Sequence, residues 1–226
     1  MLKKTILAFA AVAAFAAFGA SSAQATLTDF GNPTWWTDGG NHITGTEDIY
    51  AGGTVTLTAN TGLNTTCDLD ITGSATPGTT MGEGEITGLT FTNCQTNAPG
   101  CTANAAANGL SWPVTLSNDG SESFLSVGNV SFTNTYTGGA CVLGNGTNVT
   151  FTADHLDLTI PPSEESGQDC PLVSGHPSGS GGNSGFTADF TGSGIINGPP
   201  GSGITATAAG TVVICGDDVA DLGVTG

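Results

Sequence analysis

Thr54-Val55-Thr56-Leu57-Thr58-Ala59 decides how this chain folds. Val55, Leu57 and Ala59 alternate with Thr54, Thr56 and Thr58. A period of two puts each set on its own face of a strand, and β-branched threonine suits an exposed pleat. The same rhythm returns in Asn148-Val149-Thr150-Phe151-Thr152-Ala153. It recurs around Ile86, Leu89 and Phe91, around Val127, Val130 and Phe132, and through Leu156, Leu158 and Ile160. Phe186, Phe190, Ile195 and Ile196 form a further set, and Val212-Val213-Ile214 the last.

Turn punctuation separates the runs: Gly52-Gly53, Pro77-Gly78, Gly138-Gly139, Asn145-Gly146 and Asn197-Gly198-Pro199-Pro200-Gly201. Helix signals are nearly absent from a chain with 36 glycines. Ala105–Ala107, bracketed by Asn104 and Asn108, reads as a loop or one helical turn. The pattern predicts an all-β protein, a single β-sandwich domain of about eight to ten antiparallel strands. The expected organisation is a signal peptide over 1–25, a lead-in over 26–52 and the sandwich over 53–226. Three stretches read as irregular: Thr26 to Gly45, the cysteine-bearing Thr96 to Asn108, and Pro161 to Gly185 with its long Gly/Ser tract.

Lys3 and Lys4 precede an apolar run from Ile6 to Ala20, and Ala23-Gln24-Ala25 offers a small-x-small cleavage pattern. The run is short for a membrane span, which needs about 20 residues. We expect export, to the periplasm or more specifically outside the cell, with no transmembrane anchor. No lysine or arginine follows Lys4, so loss of the leader moves the formal charge from −17 to −19. A wholly anionic chain repels nucleic acid and anionic surfaces, attracts divalent cations, and gives a trypsin-like protease nothing to cut.

All six cysteines, Cys67, Cys94, Cys101, Cys141, Cys170 and Cys215, lie beyond the leader. An even number in an oxidising compartment predicts three disulfides. Sequence alone does not select the pairing. Sequential neighbours are the expectation, with Cys67–Cys94 foremost, because Cys67 opens one strand-like run and Cys94 closes the next. No C-x-x-C spacing points to a metal instead.

Candidate sites are few. Acyl transfer needs a nucleophile, a base and an orienter. No G-x-S-x-G occurs, and of His42, His155 and His176 only His155, in Asp154-His155-Leu156-Asp157, has carboxylates at hand. On a strand it would share a face with Asp157, and Asp154 would face the other way. Glu83 with Glu85, or Asp68 with Asp70, lie close enough for a glycosidase pair. With no cation nearby they repel, and they read better as charge guarding a sheet edge. Calcium is the cofactor to consider: Asp217, Asp218 and Asp221 cluster after the last strand, in spacing that departs from an EF-hand loop. Trp35 and Trp36 beside Pro33 either pack the lead-in onto the domain or stack on sugar rings. Trp112 leads into an apolar strand and should be buried.

Phe91-Thr92-Asn93-Cys94, followed by Gly109-Leu110-Ser111-Trp112-Pro113-Val114-Thr115-Leu116, resembles the alkane-oxidation activator (PraB-like) proteins, small exported bacterial proteins. The similarity covers roughly Gly53 to Cys141, with Ser111 where that group has proline. It implies an extracellular, non-enzymatic protein associated with hydrocarbon growth, biofilm and cell-surface properties, and it brings no catalytic residues. The expected function is that of an exported accessory or surface/matrix protein, partnered by a cell surface, a hydrophobic phase or copies of itself. The alternatives are a pilin-like subunit that donates Thr26 to Ile43 as a strand, and a glycan-binding module using Trp35 and Trp36.

Overall fold

The computed structural model describes residues 34–37, 41–60, 62–78, 81–118, 122–139, 141, 144–161, 167–171, 184–197, 204–217 and 222–225. Among them are thirteen strands and no helix. In chain order they are β1 (Thr34–Thr37), β2 (Asn41–His42), β3 (Glu47–Ala59), β4 (Asn64–Thr76), β5 (Glu83–Thr96), β6 (Thr102–Ala107), β7 (Trp112–Asn118), β8 (Ser123–Thr137), β9 (Thr147–Ile160), β10 (Gln168–Asp169), β11 (Ser184–Asn197), β12 (Ile204–Gly216) and β13 (Leu222–Thr225). The leader, residues 1–25, lies outside the described residues.

The expected sandwich is instead a barrel. Each long strand pairs antiparallel with its sequence neighbour, β9 pairs with β11, and β12 returns to β3 from Ala206↔Ala59 to Gly216↔Ile49. β6 and β7 share one place in the wall between β5 and β8, so the ring has eight positions. Alternation of apolar and polar residues is the same in a sandwich sheet and in a barrel stave. Pairing of the first and last long strands makes the difference, and it removes every edge from the ring. Glu83 and Glu85 therefore guard no edge: β5 is paired with β4 on one side and β7 on the other at both positions.

Two local readings also change. Gly52-Gly53 is no turn but the middle of β3, paired with Val213 and Val212 on one side and with Asp70 and Leu69 on the other. Ala105–Ala107 is strand, held against β8 at Asn134, Thr133 and Phe132. The segment read as a lead-in supplies β1, β2 and the start of β3.

The wall is apolar inside and polar outside. On β3, Val55, Leu57 and Ala59 are buried while Thr54 and Thr58 are exposed. Outward hydroxyls meet across neighbouring strands: Thr56 with Thr66 at 2.9 Å, Thr133 with Thr150 at 2.8 Å and Thr102 with Thr137 at 2.7 Å. A membrane-spanning barrel has the reverse polarity. Among the described residues no helix is long and apolar enough to cross a membrane.

All three disulfides join sequential cysteines, as expected: Cys67–Cys94, Cys101–Cys141 and Cys170–Cys215. Such bonds mark a chain that folds outside the reducing cytosol. The third lies outside the barrel. It ties the segment carrying β10 to β12 beside Tyr50, whose register partner is Cys215, and it forms a small satellite core there. Burial, and behind it the Asp217 carboxylate, pushes the Tyr50 hydroxyl above its ordinary pKa.

Candidate functional site

Both ends of the barrel are stoppered. At one end the small sheet β13-β1-β2 brings in Trp35, whose Nε1 donates to the Glu83 carbonyl at 2.8 Å and whose ring lies 6.0 Å from that of Phe186. Leu222 and Val224 of β13 are fully buried behind it. At the other end Thr65 and Tyr136 share a 2.8 Å hydrogen bond. Their strands, β4 and β8, are not neighbours in the wall, so this bond crosses the lumen. Burial raises the Tyr136 pKa, and the bond to Thr65 opposes that shift. Above the bond, Phe91, Phe132 and Phe151 pack in sequence with ring centroids 5.3 and 5.0 Å apart.

Between these stoppers lies an apolar cavity of about 70 Å³. Val55, Leu69 and Ile71 line it from β3 and β4, Ile86, Leu89 and Phe91 from β5, and Trp112 from β7. Val127, Leu156, Phe190 and Ala208 represent the remaining strands, so all eight wall positions contribute. Room arises from unequal side-chain sizes. Phe190 sits where a side chain on Gly210 would be, and Leu156 does the same at Gly192. Large residues thus reach across toward small ones, and the middle is left incompletely filled.

β5 is irregular in two places. Its pairing with β4 shifts register between Thr72 and Gly73 and again between Thr66 and Asp68, where Asn93 has φ 49°. These bulges explain why Ile86, Leu89, Phe91 and Cys94 are spaced three, two and three apart yet all face inward. Toward β6 the ladder holds only Thr90↔Ala106 and Gln95↔Thr102, and toward β7 it holds Glu83–Ile86 against Trp112–Thr115. Residues 108–111 interrupt the β6/β7 stave.

The sequence-level candidates fall elsewhere. Trp35 and Trp36 are 1% and 8% exposed and offer no face to a sugar ring; β1 is already paired with β13 within the chain. Trp112 is buried and donates from Nε1 to the Asn108 carbonyl. His155 and Asp157 approach to 3.6 Å on the outer wall, 63% and 54% exposed. Asp154 is exposed too, not turned inward, because Asn129 and Asp154 are skipped in the β8–β9 register. No nucleophile lies in this group. Glu83, Glu85, Asp68 and Asp70 point outward, and Asp68 accepts from Asn93 Nδ2 at 2.7 Å. Asp217 follows β12, and its amide donates to the Asp48 carbonyl; Asp218 and Asp221 lie outside the described residues. Among the described residues no three His, Cys, Asp or Glu side chains converge as a metal site.

The cavity residues appeared in the sequence only as apolar strand positions. The signal that could have marked them is the pairing of inward phenylalanine with inward glycine, and that becomes visible only once register is known. No protein family, curated protein or solved structure matches the chain.

Proposed function

We propose that this is an exported, non-enzymatic accessory protein that holds one small apolar molecule in its barrel, at a cell surface or in an extracellular matrix. The carrying observation is the cavity, lined by aliphatic and aromatic side chains from every stave. Eight-stranded barrels have an interior that is either just filled or holds one small ligand. The lining brings no acid, base or nucleophile to a bound molecule, which supports binding over catalysis. Three disulfides and a hydroxyl-rich outer wall suit a protein working outside the cell, in keeping with the accessory role that the family resemblance implies.

The test is thermal melting and methyl NMR in buffer equilibrated with n-hexane, on the native chain and on Ala208→Leu. Ala208 is fully buried and lines the cavity, so leucine there fills the space. A ligand that binds only the folded state raises Tm in proportion to its occupancy. Hexane should raise Tm and shift the Ile71 and Leu69 methyl signals in the native chain and do neither in the variant. Equal response in both, or none in the native chain, overturns the reading.

A further inference from the structure

The geometry points to a ligand that is the unbranched tail of a single-chain amphiphile with an uncharged or cationic head, inserted sideways through the wall between β5 and the break at 108–111. The inference rests on the cavity being a binding site and specifies what it takes. Inward residues near the two ends, such as Phe186 and Leu116 at one and Leu57 and Tyr136 at the other, are buried. At mid-height Leu69 on β4 is buried too, but Ile71 on β4 and Ile86, Leu89 and Phe91 on β5 are partly exposed. The less covered part of the lining therefore gathers on the β4–β5 side of the barrel.

The ladder locates the opening. Between Thr90↔Ala106 and Ile86↔Trp112, no register pair joins β5 to residues 107–111. The break leans the other way. Asn108 donates its amide to the Ser131 carbonyl at 2.8 Å and its Nδ2 to Thr133 at 2.9 Å, both on β8. Leu110, in the break, is 38% exposed.

Size and charge set the ligand class. The space is smaller than the ~150 Å³ that accommodates a benzene ring. It suits a few carbons of a slender chain, with the remainder left in the opening. Outside, exposed Glu85, Thr87, Thr90 and Ser111 surround the way in. No lysine or arginine follows Lys4 to pair with an anionic head. A carboxylate at that rim would be repelled, while a hydroxylated or cationic head would meet hydroxyls and a carboxylate.

The experiment titrates the native full chain with three probes of about equal tail length below their micellar concentrations: decyl glucoside, decyltrimethylammonium and decanoate. Methyl NMR at Ile71, Ile86 and Leu89 is the readout. The glucoside and the ammonium should bind saturably, with decanoate at least tenfold weaker. Leu110→Arg should strengthen decanoate about tenfold and leave n-hexane unchanged. Asn145→Arg, at an exposed turn by the Tyr136 end, should change neither decanoate nor hexane binding. If hexane itself fails to bind, the cavity reading falls and this inference with it. If hexane binds but decanoate matches the glucoside, or Asn145→Arg rather than Leu110→Arg rescues decanoate, only the present inference is overturned.

Discussion

The barrel has two unlike walls. From β11 through β12 and β3 to β4 the ladder is unbroken: Phe186↔Ile214 to Ile196↔Ile204, Ala206↔Ala59 to Gly216↔Ile49, and Glu47↔Ala75 to Thr58↔Asn64. From β5 to the β6/β7 stave it survives only in two short stretches. The continuous wall carries the inward glycines Gly192 and Gly210, over which large side chains of adjacent strands, Leu156 and Phe190, lie. The interrupted wall carries bulges, partly exposed lining residues and two of the three disulfides at its margins: Cys67–Cys94 across β4 and β5, and Cys101–Cys141 beside the start of β6 and the end of β8. Covalent closure thus stands where hydrogen-bond closure is thin. A barrel can be open on one side without unravelling if the rest of the ring is complete and the margins of the gap are tied.

The largest effect should come from cutting a tie. The Cys101–Cys141 bridge closes a span of 40 residues. Replacing both cysteines with alanine should cost about 4 kcal/mol on the chain-entropy model. Amide exchange should speed first along β5 and β6. Removing Cys170–Cys215, whose span is 45 residues, costs a similar amount by the same model, but it should leave exchange in β5 unchanged because that bond lies outside the continuous wall. Indistinguishable exchange patterns in the two variants would erase the contrast between the walls.

Glycine substitutions sharpen the same contrast. At Gly210 an added Cβ would meet the Thr54 carbonyl oxygen and the Phe190 ring. Backbone cannot step aside within an intact ladder, so Gly210→Ala should cost about 3 kcal/mol, read from the urea midpoint. Gly109, in the break, has φ +63° and nothing within 4 Å of an added Cβ. Gly109→Ala should cost only about 1 kcal/mol, for backbone conformation alone. The reverse order would place the rigid wall on the wrong side.

Much of the fold was legible because the chain repeats one rule. Val55, Leu57 and Ala59 against Thr54, Thr56 and Thr58 predict a strand with one dry face, and sequential cysteines predict the staples. Gly52-Gly53 misled because glycine usually punctuates. The phase of Ile49, Ala51, Val55 and Leu57 runs straight through the pair, and that continuity is what a mid-strand glycine looks like. Ring closure was not legible, because β12 meets β3 across most of the chain and neither strand's own pattern encodes its partner. The cavity was less legible still: Phe190 and Gly210 are twenty residues apart, and only the register of β11 on β12 makes one fill the other's space. Trp35 and Trp36 showed the limit of composition, since aromatic residues beside a proline suit a stopper as well as a sugar platform.

The smallest effect concerns the bond that joins β4 to β8 through the lumen. Tyr136→Phe removes the hydroxyl that meets Thr65 and should cost about 1 kcal/mol at neutral pH. Burial holds the Tyr136 proton above its ordinary pKa of 10.0, with the Thr65 bond opposing. The folded chain therefore keeps that proton where the unfolded chain loses it. Stability from this source is complete below pH 10 and is lost as pH climbs from there through the raised folded value. Urea midpoints at neutral pH and above pH 10 should converge for the native chain and Tyr136→Phe, because the native advantage disappears on the alkaline side. Tyr50, also raised, is unchanged in both proteins and cancels. A gap that widens with pH would mean that Tyr136 ionises readily where it stands. In that case the lumen at that end is wet, and the apolar cavity has a second opening beside the one in its broken wall.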